Sequence, residues 1–134
     1  MLYFDVVNDA SNRVWKVQAN PNEEANVLER IASTEQFQEV TGSDKLTVVK
    51  YVTSWCPDCK NLDRFIGGIV TEHADKQWFE MDAEQFQEIA EANEVRGIPS
   101  LLVYRNGQKI AHLHSKFAKT PDQIRAYLDE LPKE

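Results

Sequence analysis

Two hydrophobic periods alternate along the chain. Leu46-Thr-Val-Val-Lys-Tyr-Val52 is apolar and β-branched apart from one lysine, the pattern of a buried strand. Between residues 60 and 73 the period changes. Leu62, Phe65, Ile66, Ile69 and Val70 recur at helical spacing and predict a helix, weakened inside by Gly67 and Gly68. Residues 77–81, Gln-Trp-Phe-Glu-Met, return to strand character as a second inner strand. Asp82 and Gln85 then stand three apart, the spacing of a helix cap, and predict a helix with Phe86, Ile89 and Ala90 inward. Strands over 100–105 and 108–114 are joined by Asn106-Gly107, a hairpin-turn signal. Thr120, Pro121 and Gln123 predict the start of a last helix that packs Ile124, Tyr127, Leu128 and Leu131.

Upstream, Ser33 with Gln36 caps a short helix bearing Phe37 and Val40. Residues 2–7 and 13–18 both have strand character, with a turn-rich stretch between them. They predict an N-terminal hairpin within residues 1–20. It covers a sheet edge or face, or alternatively meets a partner.

The full length of 134 residues suits one domain with a real core, and residues 26–132 read as its single globular unit. A net charge of −7 argues against nucleic acid and anionic membranes, which reward clustered cations. No apolar run approaches a membrane span. Asp5 and Asp9 without a basic cluster do not resemble a secretory leader, so a cytosolic location is expected.

The chemistry concentrates at Trp55-Cys56-Pro57-Asp58-Cys59, which holds the chain's only two cysteines. Cys56 falls where the strand ends and the helix begins, where free N–H groups and the helix dipole favour an anion. A thiolate is stabilised there, and the thiolate is the reactive form. Pro57 suits a first helical position, which has no use for its missing N–H. Cys59, one turn on, is close enough to close a disulfide and is expected to be the more shielded sulfur. Asp58 is either a solvated first-turn carboxylate or a charge that opposes the Cys56 thiolate and tunes its potential. The alternative to redox chemistry is half of a zinc site. Only His73, His112 and His114 could complete it, and none stands at a recognised spacing, so no metal is expected.

Trp55-Cys56-Pro57-Asp58-Cys59-Lys60, together with Gly97-Ile98-Pro99-Ser100-Leu101 and residues 104–107, resembles the thioredoxin family over about residues 26 to 132. The resemblance implies a thioredoxin-like α/β fold, a mixed central sheet flanked by helices with residues 27–31 as its first strand, to which the N-terminal hairpin is an addition. It also implies a cis Ile98–Pro99 bond facing the disulfide, with Gly97, Ile98 and Pro99 on one side of a substrate groove and Trp55 on the other. Three departures stand out. Lys50 occupies the place of the family's buried acid, which helps accept the second cysteine's proton. Trp78 aligns with the lysine that faces that acid, and Ser115 with a glycine. Lys50 is not expected to hold an unpaired charge. Its ammonium is expected to rest on the Trp78 indole or to reach water or a carboxylate.

The function so implied is a thiol–disulfide oxidoreductase. Cys56 attacks protein or small-molecule disulfides, and Cys59 resolves the mixed disulfide. It would need no bound cofactor, take electrons from a thioredoxin reductase or small thiols, and act as a monomer. The alternatives are a redox-inactive binding module of the same fold and a glutaredoxin-like enzyme acting on glutathione mixed disulfides. The latter would want cations around Pro99, where Arg96 is the adjacent candidate.

Overall fold

The structure, a computed structural model, describes residues 28–132. The hairpin expected within residues 1–20 lies outside the described residues, as does the first residue of the 27–31 strand. The elements run β1 (Glu29–Arg30), α1 (Thr34–Thr41), β2 (Thr47–Val52), α2 (Pro57–Glu72), β3 (Gln77–Asp82), α3 (Gln87–Ala92), β4 (Ser100–Arg105), β5 (Gln108–Leu113) and α4 (Pro121–Asp129). A 3-10 turn at Ser115–Phe117 joins β5 to α4. Five strands form one sheet in the order β1-β3-β2-β4-β5. β2 pairs parallel with β3 and antiparallel with β4, so the sheet is mixed and β2 lies at its centre. This is the thioredoxin-like arrangement expected. Among the described residues no helix is long and apolar enough to cross a membrane.

Local chemistry sets most boundaries. Ser33 caps α1 by accepting from the Gln36 N–H at 3.0 Å, while Gln36 Oε1 accepts from the Ala32 N–H at 2.7 Å. Thr120 and Gln123 make a reciprocal capping box on α4, with Pro121 in its first turn. Asn106 and Gly107 both take positive φ, 55° and 81°, as a two-residue turn between β4 and β5 requires. The helix expected to start at Asp82 starts later. Asp82 ends β3, and its Oδ1 accepts from the Glu84 and Gln85 N–H groups at 2.8 and 3.1 Å. That closes a turn where a cap was expected, and α3 begins at Gln87 with Phe86 before it.

The alternation of β2 divides the core. Val49 and Tyr51 join Met81, Leu102, Tyr104 and Ala90, with Phe37, Val40, Phe86 and Ile89 packed against them, on the α1/α3 side. Val48 joins Leu62, Ile66, Ile69, Leu101, Ile124 and Leu128 on the α2/α4 side. Val52, at the end of β2, packs against both cysteines and Ile98. Lys50 lies between Val48 and Val52, so its side chain belongs to the α2 side too.

Trp78 is not the residue beside Lys50. The parallel pairing sets Val48 opposite Trp78 and Lys50 opposite Glu80. Trp78 instead packs in the α2/α4 core, and its Nε1 donates to the His73 carbonyl at 3.0 Å. The other half of the expectation holds. Lys50 is fully buried, and its Nζ meets Asp63 on α2 and Glu80 on β3, the latter at 3.3 Å. Glu80 in turn accepts from Arg30 at 2.5 Å. Acid and base are therefore exchanged relative to the arrangement the resemblance implies, with the base on the central strand and carboxylates around it.

Candidate redox site

The site stands at the C-terminal end of β2, where the central strand hands over to α2. Cys56 is the N-cap of α2 with extended φ and ψ, and Pro57 and Asp58 follow in the first turn. A disulfide joins Cys56 to Cys59, their Cα atoms 5.3 Å apart. The Cys59 N–H donates to Cys56 Sγ at 3.1 Å. A side chain at an N-cap receives such a bond because the first turn's N–H groups have no partner within the helix. The expected difference in burial is not seen: both cysteines are 3% exposed. Val52 and Ile98 cover the closed disulfide, and what distinguishes the two sulfurs is the backbone. Cys56 takes the cap position between exposed neighbours, and Cys59 lies inside the helix.

Asp58 is half exposed, and Lys119 holds its carboxylate at 2.8 Å. The charge that would oppose a thiolate on Cys56 is thus partly compensated from the loop before α4. Trp55 is the most exposed large apolar residue described, at 62%, and its Nε1 donates to Glu84 at 2.7 Å. Across from it stands the 97–99 loop, with the Ile98–Pro99 bond cis and Pro99 buried. A cleft of about 330 Å³ runs between them, lined by Trp55, Gln87, Glu91, Arg96, Gly97 and Ile98 among others. Gly97 is closely approached: a Cβ there would stand 2.4 Å from Ser115 Oγ, which can rotate aside, and 3.2 Å from Ser115 Cβ. The serine at the expected glycine position therefore seats directly on the groove loop.

Folding also brings together residues that sequence reasoning kept apart. Arg96, Gly97, His114, Ser115 and Lys116 line a second cleft of about 370 Å³. Arg96 alone stood near Pro99 in sequence. Lys116 and the His114 imidazole arrive because β5 returns antiparallel to β4 and ends beside the loop that precedes β4. The alternation of His112 and His114 gave the only advance signal. Their rings stack, with centroids 4.0 Å apart. His112 is half-buried; burial and the neighbouring His114 and Lys109 charges push its imidazole down to about 4. Lys109 Nζ donates to its Nδ1 at 3.1 Å. Among the described residues no three His, Cys, Asp or Glu side chains converge as a metal-binding group.

A family model described as Thioredoxin matches residues 28–130. The chain is 28% identical over 103 residues to thioredoxin-1 of Schizosaccharomyces pombe, covering 76% of this chain and all of that one. It is 31% identical over 86 residues to mouse thioredoxin, covering 63% of this chain and 82% of the relative. Among solved structures, the thioredoxin of Malassezia sympodialis superposes with a TM-score of 0.69 at 28% identity, over 77% of this chain and 89% of that one.

Proposed function

The chain belongs to the thioredoxin family and is a thiol–disulfide oxidoreductase, and on that premise we propose that Cys56 is the attacking sulfur and Cys59 the resolving one. The observation that carries the assignment is the Cys59 N–H aimed at Cys56 Sγ from the first turn of α2. A hydrogen bond to a charged acceptor contributes roughly 1.5–3 kcal/mol, so the contact favours the thiolate on Cys56. The helix dipole acts in the same direction and fades within a turn, before it can serve Cys59 equally.

The reduced protein would begin with Cys56 as thiolate. Its sulfur attacks one sulfur of a substrate disulfide, the substrate S–S bond breaks, and the second substrate sulfur leaves as a thiolate that takes a proton from solvent. Cys59 then loses its proton and attacks Cys56 Sγ. The mixed disulfide breaks, the substrate sulfur that Cys56 had attacked leaves as a thiolate that takes a proton, and the Cys56–Cys59 bond of this structure forms. Two electrons have passed from the dithiol to the substrate, and an external thiol or reductase restores them. Val52 and Ile98 shield the product disulfide. Ile98 also borders the groove opposite Trp55, where its backbone can pair with an extended substrate segment.

The test is limiting alkylation of the reduced protein near neutral pH with peptide mapping, alongside two serine variants. Cys56 is expected to label first. Cys56→Ser should abolish disulfide reduction, and Cys59→Ser should accumulate a mixed disulfide through Cys56 without turning over. Preferential labelling of Cys59 would reverse the assignment.

A further inference from the structure

Arg96 and Gly97 are the shared edge of two clefts. The one toward Trp55 includes the carboxylate of Glu91. The other carries two permanent cations, Arg96 and Lys116, with the imidazole of His114 and no carboxylate. That composition runs against the chain as a whole, which has 22 acidic residues and 15 basic ones. Two other lysines of the same half of the chain are held by carboxylates, Lys119 by Asp58 and Lys109 by Glu94. Arg96 and Lys116 make no ion pair among the described residues. Lys116 Nζ lies 5.2 Å from the centroid of the Phe117 ring, itself 48% exposed, so an apolar surface continues beside the charge.

Gly97 precedes Ile98, the residue whose backbone would pair with substrate. An extended segment advances about 3.3 Å per residue, so side chains two or three positions from its reacting cysteine can reach the second cleft. The lining of that cleft contains neither cysteine nor Trp55, so its occupant has to extend beyond the reacting sulfurs. A peptide strand does this. Unpaired cations at such a place attract carboxylates within a Debye length, about 8 Å at physiological salt, while the acidic remainder of the chain repels them at longer range.

Resting on the reductase reading above, we infer that the Arg96/His114/Lys116 cleft is a specificity surface that selects peptide disulfides with Asp or Glu flanking one side of the reacting cysteine. Exposed ion pairs are weak singly, and two of them correspond to roughly a three- to tenfold preference in kcat/KM.

Three disulfide peptides differing only in that flank, Glu-Asp, Ser-Ser or Lys-Lys, test this against the full chain, with oxidised glutathione as a fourth substrate. The expected order is acidic above neutral above basic. The acidic-to-neutral ratio should fall toward one in 0.5 M NaCl and in the Arg96→Gln/Lys116→Gln variant. Equal rates, or an order that survives the double substitution, would overturn the inference. So would faster reduction of glutathione than of the acidic peptide, because the occupant would then be a small thiol. Binding is read separately, by anisotropy of labelled peptides carrying serine for cysteine on the oxidised protein. Tighter binding of the acidic peptide with no reduction of any substrate upholds the cleft and rejects the reductase reading. Reduction of all three with equal binding does the reverse.

Discussion

Replacing Lys50 separates charge from packing in the core. Its side chain is 1% exposed, and its Nζ meets the carboxylates of Asp63 and Glu80, which are 37% and 20% exposed. Lys50→Met keeps most of the stem and removes the ammonium. Removing one partner of a fully buried ion pair costs about 3–5 kcal/mol, because the remaining charge is stranded. Here both carboxylates keep a path to water, and Glu80 keeps Arg30, so about 1–2 kcal/mol is expected from that ceiling. Lys50→Ala also deletes three buried methylenes, at about 0.8 kcal/mol each, which brings its expected cost to about 3–5 kcal/mol. Urea unfolding of the oxidised protein measures both, with the midpoint moving at constant slope. A Lys50→Met protein as stable as the parent, within about 0.5 kcal/mol, would refute the claim that the two carboxylates depend on this ammonium.

Other expectations follow from the same structure. Gly97→Ala should destabilise by no more than about 1 kcal/mol, because Ser115 Oγ can rotate aside and only its Cβ, 3.2 Å away, has to yield, and Ser115→Gly should restore the loss; failure of the rescue would place the strain elsewhere. His112 binds its proton less readily folded, near 4, than unfolded, near 6.5. Its contribution should therefore be intact above about 6.5 and lost as pH falls toward 4, by about 1–2 kcal/mol after allowing for partial exposure. His112→Phe should flatten that part of the stability–pH curve, and an unchanged slope would assign it to other groups. Lys119→Gln should slow alkylation of Cys56 by up to about threefold at low salt and not at 0.5 M NaCl, since Asp58 would lose its counter-charge.

The chain of elements was legible because each boundary is local. Ser33 with Gln36, Thr120 with Gln123, and Asn106-Gly107 carry their partners within four residues, so spacing alone identifies them. The cysteine pair was legible for the same reason. Asp82 shows how this fails. A carboxylate that closes a turn and one that caps a helix leave the same spacing in sequence, and the N–H groups of residues 84 and 85 decided between them. The burial of Cys56 was missed because Val52 and Ile98, from two other segments, cover the closed disulfide. The cationic cleft was illegible too. Arg96 and Lys116 are twenty positions apart and meet only through the return of β5 along β4.

The row of alternating charges Asp63, Lys50, Glu80 and Arg30 bears on how β2 finds its place against β3. A slip of one residue would turn every side chain of β3 to the wrong side of the sheet, and the apolar pattern alone forbids it. A slip of two residues keeps every side chain on its proper side, so burial discriminates against it far less. In one direction it would set Trp78 opposite Lys50, the very pairing that the sequence suggested; in the other it would set Asp82 there, another carboxylate. With Trp78 opposite, the lysine would lose Glu80 from across the strands and face an indole in its place. The attraction between residues 50 and 80 therefore penalises the slip toward Trp78, which hydrophobicity tolerates, and it does so at the centre of the sheet, on the strand that ends at the redox loop.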